Sequence, residues 1–487
     1  MFSLSLYIHI YLLYNNTVNY NIFQVIQSYM YCVGRNIIKP EDKELHELFV
    51  GFAEKAKLLS NAALFRLRQN FTARGKAILS ANEEEVLREI ELVISLTGKA
   101  RPKSIIPYTF LEKLMRVTKN PDFFTDLPMQ TSQNVLKERI RDFKGWLSSL
   151  KEFKKDPSKF TGKPRIPGYT KSPLTTFTLS NQDAVIYREG GACFLKLPKT
   201  KTRLKIQTLP SDARLKEVKV KPFYGNFEVL YTYETNNLAA NAGLCASAAI
   251  DFGIENIAAI VTNNGASMLV KGGVLKAKNQ WFNKRRAELV SILTKGHKTT
   301  ARPSSGRLEN LSLNRALFLH DAWHQISCRV VSFCLKNKVS TLYLGRNTFW
   351  KQGSRMSKSS NQAFVSLPLY SLQQMITYKA ERAGIIVRIQ EESYTSKASL
   401  LDGDHIPTYG VDDEKAIFSG RRIGRGLYRS SDGTILNADI HAAANILRKA
   451  EQNAFSKSNN FDFLKNFKVV NYTDLHKSIA LDGIAAA

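Results

Sequence analysis

Residues 154–173, KKDPSKFTGKPRIPGYTKSP, separate two kinds of side-chain pattern. Four prolines exclude a helix here, because each removes a backbone donor and blocks the preceding turn. Six Lys or Arg accompany them, so residues 156–173 read as a basic, solvated linker. Upstream, Leu45, Leu48, Phe52, Ala56, Leu59, Ala63 and Leu67 step by three or four. That spacing predicts a helix with one buried face, and Lys55, Lys57, Arg66 and Arg68 mark its other side. Leu136, Ile140, Phe143, Leu147 and Leu150 repeat the period in a second helix, with an N-cap at Thr131 or Ser132. Downstream the period becomes two. Phe227, Val229, Tyr231 and Tyr233 alternate along a strand, and Gly225-Asn226 turns the chain before it.

A third region starts near Ala246. Strands are expected at Ser247–Ile250, Ile257–Thr262 and Ser267–Val270, the last two joined through Asn263-Asn264-Gly265. A basic helix over Lys276–Lys295 follows, then one carrying Leu319, Trp323, Ile326, Val330 and Phe333. Strand Val339–Leu344, helix Gln373–Ala383, strand Ile385–Ile389 and helix Asp439–Ala450 complete a mixed α/β pattern. Met1–Tyr14 is apolar but shorter than the ~20 residues a membrane span needs. It lacks the basic start of a signal peptide and reads as an edge strand or irregular extension. No later segment reads as transmembrane, so no membrane partner is expected.

The chain carries 70 Lys plus Arg against 42 Asp plus Glu, a net charge of +28, and is rich in aromatics. A folded chain of that kind points to a polyanion, and nucleic acid is the commonest. Five cysteines are too few for a disulfide-stapled secreted fold, and none is paired as C-x-x-C. Cys328 and Cys334 stand six apart on one helix, which is no zinc-ligand spacing. The cysteines read as small buried hydrophobes.

Three acidic positions sit where chemistry in an α/β fold usually sits. Asp251 ends one strand, Glu391 and Glu392 end another, and Asp439 starts a helix. Clustered carboxylates repel unless a cation joins them, and oxygen-only donors suit Mg²⁺ or Mn²⁺. Two such ions about 3.5–4 Å apart would clamp a phosphodiester. The plainer alternative makes Asp251 a turn cap, Asp439 a helix N-cap and the glutamates solvated.

These segments resemble the TnpB (OrfB-type, transposon-encoded) family of RNA-guided nucleases, which includes Fanzor proteins and compact type V CRISPR nucleases. DFGIEN and NADIHAAANILRK look like the first and third motifs of its RuvC-like domain. LSNAALFRLRQN, KFTGKPRIPGY, GRNTFWKQ, YTSKAS and FSGRRIGRGLYRS follow in family order, over residues 37–450. The resemblance implies Asp251, Glu392 and Asp439 as catalytic residues and Mg²⁺ ligands. The strand TLYL is followed by Gly345 where the family usually has glutamate; a rearranged branch would use Glu392, with Glu391 the second choice. No cysteine follows Cys334, so the family's zinc ribbon cannot form and no zinc is expected.

The fold class implied is α+β multidomain, with a β-barrel-like wedge module, a helical recognition insertion and a RuvC-like (RNase H-like) nuclease domain. Boundaries are placed at 1–30 for an extension, 31–40 with 174–240 for the wedge, and 41–155 for the helical module. The nuclease domain takes 241–450, with a zinc-free insertion near 397–432, and a tail takes 451–487. The function implied is RNA-guided DNA endonuclease by Mg-dependent two-metal hydrolysis, leaving a 3′-hydroxyl. A nuclease-inactive RNA-guided repressor is the alternative, and a transposase acting in strand transfer a more distant one. Partners would be a guide RNA from the transposon end and double-stranded target DNA. The location would be cytoplasm or nucleoid in a prokaryote, or the nucleus for a eukaryotic Fanzor. Nucleic-acid contacts are expected from Arg66, Arg68, Lys163, Arg165, Lys284, Arg285, Arg286, Trp350, Lys351, Arg421, Arg422, Arg425 and Arg429. His320-Asp321-Ala322-Trp323-His324 imitates a metalloprotease motif but places Asp where Glu is needed, and Trp323 belongs to a core stripe.

Overall fold

The computed structural model describes residues 29–236, 243–296, 303–346, 367–412, 416–456 and 461–475. Met1–Tyr14, Trp350 and Lys351 lie outside them. The first strand, β1 (Tyr29–Ile38), leads into α1 (Lys43–Thr72), α2 (Ala81–Thr97), α3 (Tyr108–Val117) and α4 (Met129–Lys155). Six strands follow: β2 (Phe177–Ser180), β3 (Val185–Glu189), β4 (Ala192–Lys196), β5 (Arg203–Ile206), β6 (Arg214–Phe223) and β7 (Asn226–Asn236). They make two antiparallel sheets, one ordered β1-β7-β6-β2 and one β3-β4-β5.

The expected buried stripe of α1 lies inside, from Leu45 through Phe52, Ala56, Leu59 and Ala63 to Leu67. It packs with Phe177 and Phe227 of the larger sheet, where Phe49 meets both rings edge-on at 5.9 and 5.7 Å. Phe227, Val229, Tyr231 and Tyr233 of β7 are all buried, and the turn at Gly225 has φ of +72°. One local expectation changes. Helix α4 starts earlier, behind Pro128, so Thr131 and Ser132 are buried within its first turn rather than capping it. The basic linker stays largely exposed, as expected, but is also pinned at three points. Arg68 donates to the Pro167 carbonyl at 2.7 Å, Trp146 to that of Pro164 at 3.2 Å, and Asn61 brackets Thr170.

The second half is built on β8 (Ala246–Phe252), β9 (Asn256–Thr262), β10 (Ser267–Lys271), α5 (Gly273–Thr294) and α6 (Gly306–Lys336). Then come β11 (Val339–Gly345), α7 (Leu369–Arg382), β12 (Ile386–Gln390), β13 (Arg421–Gly424), β14 (Leu427–Arg429), β15 (Ile435–Asn437) and α8 (Ala438–Ala450). The tail adds β16 (Lys468–Val470) and the short α9 (Tyr472–Leu475). One six-stranded sheet runs β12-β11-β8-β9-β10-β16. Its centre, β8 to β10, is an antiparallel meander; β11 joins β8, β12 joins β11 and β16 joins β10 in parallel.

Both faces of this sheet are covered, which explains the near-continuous apolar strands. Ala248 and Ile250 face Trp323, Ile326 and Ile376 of α6 and α7. Ala249 and Ala259 face Ile440, Ala443 and Ile446 of α8. Alanines on both partners let α8 lie close to the sheet. Glu451, just past that helix, accepts hydrogen bonds from Ser247 at 2.7 Å and Tyr343 at 3.0 Å. The tail docks through Phe455 and Phe463, whose rings stack at 5.3 Å. No described helix is long and apolar enough to cross a membrane. Only Cys193 and Cys334 are buried; Cys245 is exposed, and Cys32 and Cys328 are intermediate, so burial does not describe all five cysteines.

Candidate active site

Side chains alternate along a strand, so Asp251 points to the same face of β8 as Ala249, toward α8. Asp439 sits in the first turn of α8 on that face. It does not cap the helix. Asn437 does, its Oδ1 accepting from the backbone N–H of Asp439 at 3.1 Å and of Ile440 at 3.0 Å. The Asp439 carboxylate is thereby released to other partners. Asn256 donates to one oxygen at 2.6 Å and Arg422 to the other at 3.2 Å.

Glu391 and Glu392 take different directions. Glu391 is held by Lys449 at 2.5 Å and by the Ser393 N–H at 2.6 Å. Lys449 is itself nearly buried and also donates to the Pro407 carbonyl at 2.7 Å. Glu392 instead turns toward Asp251 and Asp439 and lines the same cavity with them. Its carboxylate fills the space above Gly345. A Cβ at 345 would collide with Glu392 Oε2 and stand 2.7 Å from Ile446 Cδ1. The glycine after β11 and the glutamate after β12 thus share one volume.

The cavity measures about 1130 Å³ and is rimmed by Lys276, Arg422 and Arg425. Lys276 and Arg425 both pair with Glu255 on its wall, Arg425 at 3.2 Å. Burial pushes the Asp251 carboxyl well above its usual range; the charges of Glu392 and Asp439 add to that, and Arg422 opposes it. Such a group of oxygen donors, destabilised by its own charge, fits a hard divalent cation. Among the described residues, no three acidic, His or Cys groups already stand at the spacing of a closed coordination shell. Arg422 meanwhile supplies positive charge at Asp439.

The other expected contacts divide. Arg66 is 6% exposed, pairs with Glu89 at 2.6 Å and donates to the Ala62 carbonyl, so it is a structural residue and faces no nucleic acid. Arg68 is committed to the linker and lies over the Tyr169 ring at 5.3 Å. Lys163, Arg165, Lys284, Arg285 and Arg286 are exposed, with Arg285 paired to Glu288 at 2.8 Å. Arg421 and Arg429 are exposed opposite each other on β13 and β14. His320 and His324 lie 4.5 Å apart by ring centroid, and burial pushes both down to about 4.

Where a zinc ribbon would stand, packing holds the chain. The Tyr428 ring stacks on His441 at 4.1 Å and its hydroxyl donates to the Lys397 carbonyl at 2.8 Å. Buried His441 accepts from the Leu400 N–H at 3.1 Å. Sequence reasoning missed Asn256, Lys276, Asn437 and Lys449. Asn256, Asn437 and Lys449 stand inside the two acidic motifs, but only geometry shows what they hold.

A profile of the OrfB_IS605 family, described as a probable transposase, matches residues 229–350, and the Cas12f1-like TNB domain matches residues 370–446. Together the two segments include Asp251, Arg422, Glu392 and Asp439. The chain is a relative of the TnpB (OrfB-type) proteins. A TnpB-like protein, ORF457 of Acidianus two-tailed virus, is 29% identical over 209 residues. That match spans 42% of this chain and 41% of the viral protein, so it covers about two fifths of that TnpB-like relative. Among solved structures, Cas12f1 in a complex with sgRNA and target DNA aligns with 83% of this chain and 82% of that one. The TM-score is 0.50 at 16% identity, a likeness of fold.

Proposed function

We propose that this chain is an RNA-guided DNA endonuclease of the TnpB type, cutting DNA phosphodiesters in the acidic cavity. The observation that carries the reading is the convergence of Asp251, Glu392 and Asp439, from three separate elements, beneath a cationic rim. The meander β8 to β10 followed by parallel β11 and β12 supports a RuvC-like (RNase H-like) core. A guide RNA from a transposon end would pair with the target strand, leaving the protein to hold backbone.

The three carboxylates would hold Mg²⁺ or Mn²⁺, which when bound would polarise the scissile phosphate as a Lewis acid. The chain's own residues do the rest. Asn437 and Asn256 fix the orientation of Asp439. Lys449 holds Glu391 away, so Glu392 alone of the pair enters the cavity. Arg422 and Arg425 offer planar donors to phosphate oxygens, and Lys276 a compact charge.

The test starts with the full chain expressed beside its native flanking DNA, and with sequencing of the RNA that co-purifies. A discrete RNA ending in flanking sequence is expected, with Mg²⁺-dependent cutting of a matching duplex. Asp251→Asn and Glu392→Gln should keep the RNA and lose the cutting. Either variant cutting like the parent overturns the site, and no enriched RNA overturns the guidance. A wild-type complex that binds its target but fails to cut it with any divalent ion is a repressor instead.

A further inference from the structure

Helix α5 leaves the acidic cavity through Lys276 and then presents a second, smaller feature. Val274, Lys278, Trp281 and Arg285 recur at helical spacing and are all exposed. Trp281 is 54% exposed, an unusual amount for an indole. It borders a cavity of about 240 Å³ between α5 and α6, lined by Lys278, Trp281, Phe282, Leu311, Asn314 and Arg315.

The cavity is built rather than incidental. Asn279, 2% exposed, accepts two hydrogen bonds from Arg315, at 3.0 and 2.7 Å. These lock the guanidinium 4.7 Å from the Phe282 ring across the two helices. Lys278 stands 5.0 Å from the Trp281 ring. An aromatic face beside fixed cations is the chemistry that holds an unpaired nucleotide, with the base on the ring and the phosphate on the charges. Trp281 lies about 7.5 Å along the helix from Lys276 and about 140° around its axis. Lys284 and Arg285 continue the positive charge beyond it.

We propose that Trp281 and this α5–α6 cavity form a stacking station for an unpaired DNA strand. The proposal rests on the nuclease reading for its purpose but is tested without cutting. Trp281 is a positioning residue here and touches no reacting atom.

The experiment uses the full-length chain carrying Asp251→Asn. Binding of a fluorescent oligodeoxythymidylate of about ten nucleotides is measured at fixed salt. Adding Trp281→Ala should weaken binding by at least about fivefold. Trp281→Phe, which keeps a ring, should restore most of the loss. An oligonucleotide carrying 5-iododeoxyuridine should photo-crosslink to Trp281, located by mass spectrometry of the peptide. Unchanged binding by Trp281→Ala, or crosslinks only elsewhere, overturns the station. Tighter binding of oligouridylate with the same crosslink overturns the choice of DNA. If Asp251→Asn itself still cuts a guided target, the acidic-cavity reading fails while this binding result stands separately.

Discussion

Gly345 and Glu392 show how one residue's absence makes room for another. Any side chain at 345 meets the Glu392 carboxylate, so Gly345→Ala should lower cutting by at least about tenfold with little loss of fold. Single-turnover cleavage at saturating Mg²⁺ checks it, and a parent-like rate would mean that Glu392 has another position. The choice of Glu392 over Glu391 was legible only through the resemblance to a rearranged branch. Its physical reason, the buried Lys449, was not, because a lysine in a basic chain carries no local signal. Asp251 gives a second test. Its carboxyl is raised in the folded chain, so that chain keeps a proton which the unfolded chain releases above about 3.8. Stability without metal must therefore fall as pH rises from that value through the folded one. Asp251→Asn should remove this slope and raise the melting temperature of the metal-free protein at neutral pH. Added Mg²⁺ should stabilise the wild type and leave the variant unmoved.

At the scale of elements, long periodic segments were readable and short or distant ones were not. Helix α1 announced itself because its buried stripe runs the full length of the helix. Helix α3 has only ten residues and was overlooked although Phe110, Leu111, Leu114 and Met115 recur at helical spacing; β16 has three that pair in parallel with a strand some 200 positions earlier and leaves no local period. Arg66 was misread for a related reason: helical spacing assigned it to the outer face, but α2 packs there and its Glu89 takes the guanidinium. The hairpin of β13 and β14 carries Arg422 into the cavity while Tyr428 and His441 anchor its base. Arg422→Ala should slow cutting more than it weakens target binding, measured as separate rate and affinity. His441 is buried and pushed down to about 4 from 6.5, as are His320 and His324. Each stays neutral while the unfolded chain takes up protons, so stability is lost as pH falls from 6.5 toward 4. The slope is at most about 1.4 kcal/mol per pH unit for each histidine. His441→Gln should flatten one share of it in acid denaturation.

For the whole molecule, the charge of +28 was the earliest clue and remains the broadest. Exposed Lys163, Arg165, Lys284, Arg286, Arg421 and Arg429 spread it over both halves. Nucleic-acid affinity should therefore drop linearly in log–log plots against salt, with a steep slope that single substitutions lower by about one each. The acids of the cavity lie far apart in the chain, at 251, 392 and 439, with Tyr409 and Val411 highly exposed on the way from the second to the third. A break near Gly410 would leave Asp251 and Glu392 on one piece and Asp439 on the other. Neither piece alone holds the full set of acids, and α8 would have to find its sheet again through alanine and isoleucine contacts. The molecule is thus suited to complementation: two inert fragments, each fused to one half of an inducible dimer, should regain cutting only when the dimeriser is added.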